Sequence, residues 1–421
     1  MRHLYNLLLY ILLPFLPLRL LWKSRKNPAY RRRIKERFGY LGIKPLASSI
    51  WVHAVSVGEA IAATTLITEL LKQYPNETIV VTTMTPTGAD RIQKNFWGRV
   101  LQVYVPYDYP FAVKRFLHCT NPRILIIMET ELWPNILHYT HLRQVPIILA
   151  NARLAAKSFA GYQKIKKFTK EMLSAITIIA ARSEIDAKHF VALGKDAKDV
   201  VVTGNVKFDI CLPEDINSEA LLLRERLGKE RPIWVAASTH KNEEEKVLAG
   251  AILINKIIPQ ALLVLVPRHP ERFTEVYELC RSKGFNTIRF STHEPCVKET
   301  QVVVADVMGQ LLNIYAACDV AFVGGSLIAW GGHNLLEPAV LAKPVISGVN
   351  LEAFAEIAEL LSKAGALFKV KSENGLAAYV IQLLQDKTLR AEYGKRASRV
   401  VNQHRGATAK LLNLVKKMID T

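Results

Sequence analysis

The chain has 421 residues, half of them hydrophobic and 22% charged, with a formal net charge of +19. That length holds two ordinary domains, each with its own core, and the balance excludes an intrinsically disordered chain. The positive excess asks for an anionic partner: nucleic acid, anionic lipid or a phosphorylated substrate. The first predicted element is the apolar stretch 4–22, followed at once by Lys23, Arg25, Lys26, Arg31, Arg32, Arg33, Lys35 and Arg37. Positive charge on that side, without a small-residue cleavage site, argues against a signal peptide. Nineteen residues are just enough for a span, but Pro14 and Pro17 would kink a helix. A bent span, an interfacial anchor and a helix packed on the body all remain open. The positive-inside rule puts the globular body on the cytoplasmic face, beside an anionic membrane surface that takes up part of the charge. Nucleic acid is not expected as a partner, because no RNP, zinc-finger or helix-turn-helix signal is present.

Short β-branched runs then alternate with helix-length amphipathic segments. Segments 50–54, 78–83, 102–105, 124–128, 147–150, 176–181 and 200–203 predict the strands of one sheet. Segments 233–237, 262–266, 302–305, 320–323 and 344–347 predict a second. I-W-V-H-A-V-S at 50–56 echoes I-W-V-A-A-S at 233–238, each opening its sheet with a tryptophan. The expected fold class is α/β, with two Rossmann-like domains facing a cleft and an N-terminal membrane-anchor helix. The expected boundaries are an anchor at 1–22, a first domain at 23–205, a connector at 206–231, a second domain at 232–386, and C-terminal helices at 387–421 that pack back on the first domain.

In such sheets ligands bind beyond the carboxyl ends of the strands, and there the polar residues gather: 56–59, 83–87, Asp108, 129–135 and 151–153. Glu59 closes an S-x-x-E capping box from Ser56, yet a carboxylate at a helix start beside Gly58 can also take a proton from an attacking hydroxyl. Glu129 and Glu131 follow a strand directly and read either as a polar site floor or as caps for the helix opened by Pro134. Lys207 is a cation placed to neutralise a leaving phosphate, or a solvated lysine. Arg268, after the strand 262–266, is placed to clamp a phosphate. The glycine-rich stretch 323–345 places Gly324, Gly325, Gly331 and Gly332 at a strand-to-helix turn; Asn334 caps the next helix and Glu337 sits in its first turn. That pattern suits the phosphate and ribose of a nucleotide, or packing alone. Five scattered cysteines suggest reduced thiols. Without D-x-D, Walker A, a first-strand G-x-G-x-x-G, H-E-x-x-H or G-x-S-x-G, kinase and NAD chemistry drop away, and neither a metal nor a cofactor is expected.

The segments H-A-V-S-V-G-E (53–59), T-M-T-P-T-G (83–88), Y-V-P-Y-D (104–108), M-E-T-E-L-W-P-N (128–135), A-N-A-R-L (150–154), V-P-R-H-P-E-R-F (266–273) and G-G-H-N-L-L-E-P-A (331–339) resemble the 3-deoxy-D-manno-octulosonic acid (Kdo) transferases over nearly the whole chain. The resemblance implies a GT-B fold and an inverting, metal-independent transfer of Kdo from CMP-Kdo to a phosphorylated lipid A precursor, at the cytoplasmic face of the inner membrane, in lipopolysaccharide assembly. It implies an acceptor-binding first domain and a CMP-sugar-binding second one. It makes Glu59 the general base, and assigns transition-state stabilisation to Lys207 and to Glu129 or Glu131. Pro267, Arg268, Met308, Gly309, Gln310, Asn334, Leu335, Leu336 and Glu337 match its CMP-binding segments. Two places depart from the family pattern. Gln310 stands where a glutamate is usual, and Gly348–Phe354 keeps little of the usual G-P-H-T-x-N-F. The alternatives are another GT-B enzyme, a UDP-sugar transferase or an epimerase, and an inactive scaffold.

Overall fold

Runs of valine, isoleucine and leucine with no polar face are stable only when covered on both sides, and here they build two parallel sheets. The computed structural model describes residues 1–420, apart from the side chains of Pro17, Lys23 and Lys26, so what the sequence suggests for those three lies outside the described residues. The first unit comprises Met1–Asp209 and Arg405–Thr421, the second Ile210–His404. Strands β1 (Ser49–His53), β2 (Thr78–Thr83), β3 (Leu101–Tyr104), β4 (Pro122–Met128), β5 (Ile147–Ala152), β6 (Ile178–Ala181) and β7 (Val200–Val202) form the first sheet in the order β3-β2-β1-β4-β5-β6-β7. The order reverses between β1 and β4, which makes the carboxyl ends of those two strands the topological switch point.

Alternation along β1 sorts its side chains between two cores. Ile50 and Val52 pack with Leu66, Ile67, Leu411 and Val415, whereas Trp51 packs with Phe116 and Leu125 on the other face. The helix Ala407–Ile419 thus completes a core begun more than 300 positions earlier. Its N-terminus is capped by Asp209, whose carboxylate accepts from the N–H groups of Gly406 at 2.7 Å and Thr408 at 2.5 Å.

The second unit repeats the plan. Strands β8 (Ile233–Thr239), β9 (Leu262–Pro267), β10 (Thr287–Arg289), β11 (Val302–Val304), β12 (Val320–Val323), β13 (Val345–Ser347) and β14 (Leu367–Lys369) lie in the order β10-β11-β9-β8-β12-β13-β14, all parallel. Trp234 on central β8 is fully buried, like Trp51 on central β1. The sequence reading misses β10 and β14, both edge strands of three residues.

Of the three readings open for the N-terminal stretch, the structure does not carry the span. Pro14 sits in a short 3-10 turn between two helices, α1 (Arg2–Leu12) and α2 (Leu16–Lys26). Each has 11 residues, about 16 Å at 1.5 Å per residue, against ~30 Å of hydrocarbon. Among the described residues no helix is long and apolar enough to cross a membrane. Nor is α1 buried. Tyr5 donates to Asp108 at 2.9 Å, Asn135 donates to Asn6 at 2.6 Å and Tyr109 donates to the Leu9 carbonyl at 2.9 Å. These contacts hold one side to the body, while Leu4, Leu7, Leu8 and Ile11, at helical spacing, stay exposed. The basic run also divides. Arg25, Arg31, Arg32 and Lys35 are exposed, but Arg33 pairs with Glu36 and Arg37 is buried against Tyr104, donating to the Met84 carbonyl.

Candidate active site

At the switch point of the first sheet the turn after β1 supplies Glu59 and the turn after β4 supplies Glu129 and Glu131. Ser56 caps the helix Val57–Ala62, as the capping-box spacing predicts. The Glu59 carboxylate accepts from the Ser56 hydroxyl at 2.8 Å and the Val55 N–H at 2.7 Å. Both hydrogen bonds favour the charged form, but burial outweighs them. With Glu131 and Glu129 adding like charge, the carboxyl rises from 4.5 to about 7. The cap thus holds the carboxyl still while its surroundings raise it. A Cβ on exposed Gly58 would meet only the Ser56 hydroxyl, at 3.7 Å, leaving open space above the turn.

Glu129 has φ 57 and Asn151, at the end of β5, has φ 52. Left-handed residues other than glycine cost of order 1–3 kcal/mol and cluster at functional sites. The turn at Glu129 directs its carboxylate to Lys207, with Nζ–Oε1 3.1 Å. Asn151 accepts from the Val206 N–H at 3.2 Å, which fixes the segment carrying Lys207. Glu131 instead accepts from the Trp133 indole N–H at 2.7 Å, and burial raises its carboxyl too. The two acids thus differ: Glu131 is the larger charge felt by Glu59, and Glu129 is the partner of the lysine. Asp108 turns out to be structural. Its carboxylate caps the helix Pro134–Leu142, accepting from the N–H groups of Asn135 at 2.9 Å and Ile136 at 2.7 Å.

In the second unit the glycine-rich turn differs from expectation. Its N–H groups are already occupied by Glu243, fully buried, whose carboxylate accepts from Gly325 at 2.6 Å, Ser326 at 3.0 Å and Leu327 at 2.9 Å. A Cβ on Gly324 would stand 2.8 Å from that carboxylate and 2.9 Å from the Ser238 carbonyl, so this glycine makes room for Glu243 rather than for a ligand. Asn334 accepts from the Leu336 N–H at 3.1 Å and donates to Glu337 at 3.1 Å, but the helix Leu336–Val340 has only five residues and little macrodipole to offer an anion. Leu335 and Leu336 are fully buried and Pro267 is buried too, so these three expected contact residues lie beneath the surface rather than on it. Arg268, Met308, Gly309 and Gln310 are exposed beyond the carboxyl ends of β9 and β11.

Sequence reasoning also passes over a histidine cluster at these strand ends. His240 and His333 share a 2.7 Å Nε2···Nε2 contact, Trp330 packs at a tilt on His240 with ring centres 4.3 Å apart, and His269 stands 5.4 Å away. Burial, with the Arg268 charge and neighbouring imidazoles, lowers both His240 and His333 to about 4, so both are neutral at pH 7. No spacing in the sequence joins positions 240, 269 and 333; only the adjacency of β8, β9 and β12 does.

Residues 32–210 match the family model described as 3-Deoxy-D-manno-octulosonic-acid transferase (kdotransferase), and residues 253–400 match Glycosyl transferases group 1. A 3-deoxy-D-manno-octulosonic acid transferase of Haemophilus influenzae is 41% identical over 400 residues, 94% of each chain. One from Bordetella pertussis is 32% identical, covering 90% of each. The crystal structure of UDP-GlcNAc 2-epimerase from Neisseria meningitidis bound to UDP-GlcNAc covers 88% of this chain and 100% of that one with TM-score 0.58 at 13% identity. That likeness speaks for the GT-B-like fold of two Rossmann-like units alone. The chain belongs to the 3-deoxy-D-manno-octulosonic acid transferase family.

Proposed function

We propose that this chain transfers Kdo from CMP-Kdo, with inversion and without a metal, to a hydroxyl of a phosphorylated lipid A precursor in lipopolysaccharide assembly. The observation that carries the reading is the Glu59 carboxyl, held by a capping box and raised to about 7 at the switch point of the first sheet. A base poised there is half ionised near neutral pH and takes the acceptor proton as the hydroxyl oxygen attacks the anomeric carbon. Lys207, oriented by Glu129, supplies positive charge for the transition state, and Glu131 sustains the basicity of Glu59 by repulsion. The first unit takes the acceptor role and the second the nucleotide role.

For the nucleotide, Arg268 is the cation for the phosphate, standing exposed beyond the carboxyl end of β9, and Glu337, oriented by Asn334, accepts the ribose hydroxyls. The exposed turn Met308, Gly309, Gln310 completes the nucleotide contacts, and the buried Pro267, Leu335 and Leu336 support the residues that make them. Glu337→Ala is expected to weaken CMP binding about 10- to 100-fold, the worth of one or two hydrogen bonds to a charged group. Calorimetric titration with CMP and with the acceptor checks this, since an equal loss for both ligands contradicts the assignment. CMP competing against the donor, with UDP failing to compete, separates the reading from a UDP-sugar enzyme, and turnover in excess chelator tests the metal-independent step.

We place the protein at the cytoplasmic face of the inner membrane. The exposed stripe Leu4, Leu7, Leu8, Ile11 and the exposed Arg25, Arg31 and Arg32 suit a helix lying in an anionic interface.

A further inference from the structure

Within the first unit, a cavity of about 620 Å³ opens between the N-terminal helices and the body. Leu9 and Phe15 from the N-terminal helices line it together with Trp133, Ile165, Phe168 and Met172 from the body. Most of the lining is apolar, an environment that excludes a sugar or a nucleotide and rewards hydrocarbon. Two features say which hydrocarbon. Trp133 is shared with the acid cluster, because its indole donates to Glu131 at 2.7 Å. Arg19 lines the same cavity and is exposed, whereas the acid in the lining, Asp108, is buried and bonded to the N–H groups of Asn135 and Ile136. Apolar depth, a cation and adjacency to the acids together match one molecule, an acylated and phosphorylated saccharide.

We propose that this cavity binds one acyl chain of the lipid acceptor and so sets the position of its hydroxyl beside Glu59. The proposal rests on the lipid A precursor being the acceptor. Chain length and number, rather than the sugar alone, then govern which acceptors are used. The exposed residues Leu12 and Phe15 carry the apolar surface from the cavity to the outer side of the N-terminal helices, where a chain leaving a bilayer would enter.

Leu9→Trp and Ile165→Trp each drive an indole into the cavity, one from the N-terminal helices and one from the body. For each, kcat/KM is measured in detergent with the lipid A precursor and with the same precursor after chemical deacylation. The expected result is that the ratio of acylated to deacylated kcat/KM falls on the order of tenfold in both variants, ~1.4 kcal/mol, the worth of burying about two methylenes. A ratio unmoved in both overturns the proposal. So does a loss of binding to anionic phospholipid vesicles with the ratio intact, which would give the cavity to a bilayer lipid. A readout on the unsubstituted protein stands independently of how the variants fold. Acceptor with brominated acyl chains is expected to quench tryptophan emission that Trp133→Phe removes, and absence of that quenching also overturns the proposal. If instead the chain were not a Kdo transferase, the unsubstituted protein would turn over neither acceptor. A mistaken cavity assignment leaves that turnover intact.

Discussion

Glu59→Gln is expected to lower kcat/KM for Kdo transfer by ~10²–10⁴, the usual worth of a positioned general base, while changing unfolding stability little below pH 4.5, where the carboxyl is neutral in both states. The amide is nearly isosteric and its oxygen still accepts one of the two hydrogen bonds now made from Ser56 and Val55. The pH profile carries the same claim. Burial raises this carboxyl from 4.5 to about 7, so the basic form accumulates only as pH rises, and kcat/KM is expected to climb along an acid limb centred near 7. The residual activity of the Gln variant is expected to lose that limb. Stability has the opposite sign. Between pH 4.5 and 7 the native state holds a proton that the unfolded chain has released, so this group's contribution to stability falls as pH rises through that window. The variant flattens that dependence. Undiminished transfer by Glu59→Gln, or an unshifted acid limb in it, rules out the base assignment.

Glu243→Ala is expected to destabilise the second unit by about 3 kcal/mol. Three buried N–H groups lose their acceptor at ~1–3 kcal/mol each, partly offset because a carboxylate no longer has to be desolvated. Glu243→Gln is expected to cost less, since the amide oxygen still serves part of the loop. Urea denaturation followed by tryptophan emission checks both, and an unchanged midpoint for the Ala variant contradicts the account of the loop. The result also bears on the nucleotide. The glycine-rich turn is a support built around the buried Glu243 carboxylate, which holds the N–H groups of Gly325, Ser326 and Leu327.

The strands were legible because buried parallel strands carry apolar residues at every position; Ile124–Met128 or Leu262–Val266 admits no other reading once turn residues bound it. β10 (T-I-R) and β14 (L-F-K) escaped because three residues ending in a cation carry no period, and their place at the sheet edges leaves them only partly buried. The capping box at Ser56 was legible as local chemistry at fixed spacing. That Glu59 also titrates near 7 was not, since it depends on burial and on acids 70 positions away. Glu243 was illegible for the same reason. Within N-E-E-E it reads as a solvated helix start, and its partners lie 82 to 84 positions on. The apolar N-terminus showed its composition but not its path. Pro14 decides between one span and two short helices, and the hydrogen bonds of Tyr5 and Asn6 decide which side faces the body.

The central claim is the transfer itself. Purified full-length protein is incubated with CMP-Kdo and lipid A precursor, and the products are resolved by mass spectrometry. The account predicts precursor heavier by one or more Kdo units, with one CMP released per unit added. Precursor of unchanged mass, or turnover of a UDP-sugar in place of CMP-Kdo, would contradict it.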